Sequence, residues 1–94
     1  MLIYKVDMLQ VLRDHGYTSY KLFQKGPDGK TLLGSSQLTK MRNGQMIGIN
    51  TLETICDLTG LQPGDLIESV PEDRVQALIE SGYFEKKGLP NPRK

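Results

Sequence analysis

Glycine recurs at positions 16, 26, 34, 44, 60 and 82, and between these stops the apolar residues fall mostly at helical spacing. Such punctuation confines the chain to short elements, because glycine just past a helix accepts the left-handed conformation that ends it. The first segment runs from Asp7 to His15, with Met8, Leu9, Val11 and Leu12 at helical intervals, Asp7 as cap and Gly16 as stop. Thr18 caps a second segment, residues 19–25, in which Tyr20 and Phe23 are i, i+3 neighbours and Leu22 joins the buried face. Ser35 and Ser36 both suit the start of a third, ending at Arg42 before Asn43-Gly44; Leu38 and Met41 face inward there. Asn50 followed by Glu53 reads as a capping box for a fourth, with Leu52, Ile55, Cys56 and Leu58 on its apolar side and Gly60 closing it. Pro63 opens a short fifth that carries Leu66, Ile67 and Val70 inward.

A further helix starts near residues 69–72 and runs to about Ser81, with Val75, Leu78 and Ile79 as a stripe. From Gly82 on, Gly88, Pro90 and Pro92 predict a frayed tail. The stripe has two readings of similar weight: it folds back to complete a thin core, or it buries itself against a second copy or another protein. Tyr83 and Phe84 just beyond favour the contact reading, because exposed aromatics are enriched at interfaces. The stretch around Pro27-Asp28-Gly29 is a turn by its chemistry, and the residues either side of it suit a β-hairpin as well as a loop. The sum is an all-α domain of five short helices over residues 1–70, with residues 71–94 as a C-terminal extension, an amphipathic helix followed by a flexible tail.

At 94 residues this is one small domain plus that extension. One Cys rules out an internal disulfide, and one Cys with one His cannot fill a structural zinc site. No apolar run approaches a membrane span, and Lys5 and Asp7 break the apolar start too early for a signal peptide. A cytoplasmic protein with no cofactor, no metal and no membrane contact is the expectation. The net charge of +1 hides a strong split. Between residues 19 and 46 lie Lys21, Lys25, Lys30, Lys40 and Arg42 against Asp28 alone. Between residues 47 and 73 there are only acids: Glu53, Asp57, Asp65, Glu68, Glu72 and Asp73. A local basic patch attracts polyanions even when the total charge is small.

No catalytic pattern emerges. Gly34-Ser35-Ser36 lacks the second glycine of a nucleophile elbow, no phosphate-loop motif is present, and the acids have no evident catalytic partner. Cys56 has no cation or His at helical spacing to activate it. His15 suits the end of a helix, as a favourable charge rather than a ligand.

The second and third helices have the order of a helix-turn-helix. A major groove admits one helix, whose N-terminal residues reach base edges. Ser35, Ser36 and Gln37 stand at that end, Gln37 has the donor and acceptor for bidentate pairing with adenine, and Lys40 lies one turn on. Four segments in order carry a resemblance: Tyr17-Thr18-Ser19-Tyr20-Lys21-Leu22, Ser36-Gln37-Leu38-Thr39-Lys40-Met41-Arg42-Asn43-Gly44, Thr51-Leu52-Glu53-Thr54-Ile55-Cys56, and Leu61-Gln62-Pro63-Gly64-Asp65-Leu66-Ile67-Glu68. Over about residues 1–73 the chain resembles the Cro/repressor-type helix-turn-helix family, nearest the small bacterial and phage-borne members of the XRE group.

That resemblance implies a five-helix fold, double-stranded DNA as partner, a homodimer on a near-palindromic site, and regulation of transcription, with repression expected. It puts Ser35, Ser36, Gln37 and Lys40 against bases, and Tyr20, Thr39, Arg42 and Asn43 on the phosphate backbone. The basic stretch from Lys21 onward then becomes part of the DNA contact. One departure stands out: the family joins its second and third helices by a few residues, whereas residues 26–34 intervene here, and this loop adds Lys30 as a possible contact. The alternative reading is an adaptor or antitoxin-like protein that keeps the fold without strong DNA readout and binds a protein partner through residues 75–84.

Overall fold

The computed structural model describes residues 1–93. A short strand, β1 (Leu2–Tyr4), leads into α1 (Met8–Asp14). The Asp7 carboxylate starts that helix by accepting the N–H groups of Leu9 and Gln10 at 3.1 and 3.2 Å. Then come α2 (Ser19–Phe23), α3 (Ser35–Arg42) and α4 (Ile49–Thr59). The single turn of α5 (Pro63–Leu66) runs straight into β2 (Ile67–Ser69), and α6 (Glu72–Glu80) and α7 (Tyr83–Lys86) follow.

Helices form at the five expected places and, as α6, in the extension; α7 and a two-stranded sheet are additional among the described residues. β1 pairs antiparallel with β2, Leu2 opposite Ser69 and Tyr4 opposite Ile67. Three-residue strands are too short to display a period of two, so the all-α expectation overlooked them. α4 also starts earlier than its capping-box signal indicated. Its cap is Gly48, and Asn50 lies inside the helix, its carbonyl accepting the Thr54 hydroxyl at 3.0 Å. The acceptor at this terminus comes from another helix: the Gln37 side-chain oxygen takes the Gly48 N–H at 2.9 Å.

The loop between α2 and α3 contains no strand. Gly26 N–H donates to the Lys30 carbonyl at 2.9 Å, and the Asp28 carboxylate accepts the Lys30 N–H at 3.0 Å. Those bonds close a compact turn, and buried Leu33 anchors its far end. The hairpin's first strand cannot form, because residues 21–23 belong to α2.

Two apolar clusters result. The larger gathers Met8 and Leu12 of α1, Leu22 of α2, Leu38 and Met41 of α3, and Ile55 of α4. The smaller holds Ile3, Val70, Val75, Phe84 and Leu89. β1 is the wall between them: by strand alternation Ile3 enters the small cluster and Tyr4 the large one. Here the chain differs from the expected frayed tail. Gly82 ends α6, but α7 follows, and Phe84 and Leu89 are buried. The apolar stripe of α6 thus turns inward through Val75 and completes a core, the first of its two readings.

Candidate nucleic-acid interface

α3 is held from three sides. Leu38 and Met41 root it in the large cluster. The Gln37 oxygen links its first turn to the start of α4. Its last turn ends at Asn43 and Gly44, where φ is 76°. The C-terminal segment crosses this point so closely that a Cβ on Gly44 would lie 2.9 Å from the Asn91 carbonyl oxygen and 3.0 Å from that of Pro90. Glycine is required there both by the backbone angle and by the approach.

At about 3.6 residues per turn, the side of α3 opposite Leu38 and Met41 carries Ser36, Thr39, Lys40 and Asn43. Ser35, Ser36, Thr39, Arg42 and Asn43 are exposed, while Lys40 is half-buried. The face presents hydroxyls, an amide and cations, with no acid among Ser35–Arg42. Gln37 lies to the flank and is half-buried; its oxygen is already engaged by Gly48. Arg42 and Asn43 border a shallow hollow shared with Glu85, Leu89, Pro90 and Asn91.

The remaining sequence candidates lie elsewhere. Tyr20 and Lys21 are exposed on α2, Tyr20 to 76%. Lys30 sits on the loop, and it and Lys21 border a concave surface together with Lys25. Sequence reasoning missed the Gln37–Gly48 link and the return of residues 90–91 to Gly44, neither of which left a signal in the sequence.

A helix rooted by two apolar residues, preceded by a helix and a turn and turning a polar, acid-free face outward, has the build of a major-groove reader. Residues 8–72 match the family model described as the Cro/C1-type HTH DNA-binding domain. The chain belongs to that family. The match spans α1 to the start of α6, so α2, α3 and the loop at residues 26–34 all lie inside it. No match emerged among curated proteins or solved structures. Cro/C1-type domains bind DNA and are normally not enzymes. Burial, and then the charges of Asp57 and Asp65, push the Cys56 thiol above its ordinary value, which keeps it protonated. No helix among the described residues is long and apolar enough to cross a membrane.

Proposed function

We propose that the protein is a sequence-specific transcription regulator, acting as a repressor and binding as a homodimer to a near-palindromic duplex site. The observation that carries this reading is the acid-free outer face of α3 within a Cro/C1-type domain. Ser35, Ser36 and Lys40 read base edges from the first turns of α3, while Thr39, Arg42 and Asn43 hold phosphates. Tyr20, exposed on α2, supplies a further backbone contact. Gln37 serves chiefly to set α3 against α4, since a two-bond pairing with adenine would call on the oxygen that Gly48 already uses.

The adaptor reading has less to work with, because Val75 and Phe84 are buried within the chain itself and, of its anchors, only Leu78, Ile79 and Tyr83 remain half-exposed. Selection from random-sequence duplexes tests the proposal. The protein should recover a site with internal two-fold symmetry, and Lys40→Ala should relax preference at one base pair in each half, at a cost of about 1–3 kcal/mol. Failure of the wild-type protein to retain any duplex at low salt would overturn it.

A further inference from the structure

The longest connection within the Cro/C1-type domain, between α2 and α3, is folded rather than slack. With α2 it forms a concave surface lined by Lys21, Lys25, Asp28, Lys30, Thr31 and Leu32. Three ammonium groups therefore border one hollow with a single acid, and that acid is turned into its own turn, its oxygen accepting the Lys30 N–H. The only ion pair among the described residues joins Arg93 to Glu72, so none of these lysines is ion-paired, and three cations against Asp28 leave the hollow net positive. The loop runs from Leu32 of the hollow through buried Leu33 to Gly34, the N-cap of α3, so Ser35 follows Leu32 by three positions along the chain.

We propose that this lysine-lined hollow is a second docking surface for the DNA duplex, seating the phosphodiester backbone beside the bases that α3 reads. The inference rests on the DNA-binding reading and extends it from one helix to a two-part footprint. Lysine ammonium groups are mobile point charges without the planar fork that reads a base edge, so they suit phosphate oxygens. The favoured occupant is the duplex rather than an acidic protein segment, because the lysine lining matches a polyanion and the loop that carries it leads directly into the candidate recognition helix. The inserted loop thereby enlarges the contact on the N-terminal side of α3 and contributes affinity without base preference.

The test compares the wild-type chain with the double variant Lys25→Ala/Lys30→Ala on duplexes recovered by selection. Both side chains are exposed and lie outside the apolar clusters, so the variant should fold as the wild type does. Each lost phosphate contact should reduce the slope of log affinity against log salt by about 0.9, which is about 1.8 for each half-site and about 3.6 for a dimer on its full site. The protected footprint should shorten on one side of each half-site, with the preferred bases unchanged. An unchanged salt slope and footprint would overturn the assignment, as would loss of binding only to an acidic protein partner. If the wild-type chain retains no duplex at all, the DNA-binding reading falls and the assignment with it; if it does and only the slope fails to change, the assignment falls alone.

Discussion

The phenolic oxygen of Tyr4 accepts the buried main-chain N–H of Ile47 at 3.1 Å, and its own hydrogen goes to the Gln45 carbonyl. One side chain from the first strand thus secures the segment that connects α3 to α4. Tyr4→Phe keeps the ring and strands the Ile47 N–H, and an unsatisfied buried donor costs about 1–3 kcal/mol. Urea denaturation should show a loss of that size with an unchanged slope. A change within about 0.5 kcal/mol, the usual range for surface positions, would mean that water enters and replaces the hydroxyl.

The same tyrosine makes stability depend on alkaline pH. Burial pushes its pKa above the ordinary 10.0, and the Ile47 N–H, which favours the phenolate, only partly offsets this. The folded state therefore holds the proton more tightly than the unfolded chain. The associated stability is intact below pH 10.0 and is lost as pH rises through the folded value. The Cys56 thiol, raised from 9.0, acts in the same direction starting lower. Unfolding free energy should fall as pH rises above 9.0, and Tyr4→Phe should make the fall above pH 10.0 shallower. A profile unaltered by that substitution would mean that Tyr4 ionises as easily in the folded state as in the unfolded chain.

Local signals located the helices well, because caps and stops act over three or four residues: Asp7 and Thr18 cap where their chemistry indicated. Elements that depend on distant partners were hidden. β1 exists because Ile67–Ser69 is brought beside it, with Tyr4 and Ile3 placed in different clusters. Phe84 and Leu89 looked like part of a loose end, since Gly82, Gly88 and two prolines surround them, yet Ile3 and Val70 give them a core to enter. The candidate interface divides in the same way. Spacing from Leu38 and Met41 identifies the outer face of α3, whereas the use of Gln37 across to Gly48 is a tertiary event that no local pattern encodes.

Gly44 and Gly16 allow the closeness of the C-terminal segment to be measured. Both have positive φ, 76° and 86°, but nothing lies within 4 Å of a Cβ on Gly16, whereas one on Gly44 meets Asn91 and Pro90 at 2.9–3.0 Å. Alanine at either pays the left-handed strain of about 1–2 kcal/mol. Gly44→Ala should cost more than Gly16→Ala and should raise amide exchange across residues 88–93, a response that Gly16→Ala lacks. Equal costs with no change in exchange would mean that residues 90–91 move aside freely.

Gln37 separates positioning from reading. Gln37→Met keeps the length of the side chain and removes the acceptor for the Gly48 N–H. Gly48 is exposed, so water can take that bond and stability should stay within about 0.5 kcal/mol of the wild type. What changes is the hold of α4 on the first turn of α3, and displacement of that turn disturbs every contact it makes. Binding should therefore weaken by a similar factor on all selected duplexes, with the order of preferred bases preserved. Ser36→Ala and Lys40→Ala should behave differently, each flattening the preference at particular positions. If Gln37→Met instead removes discrimination at a single adenine and spares the other positions, the side chain faces the groove in the complex and its link to Gly48 is broken on binding.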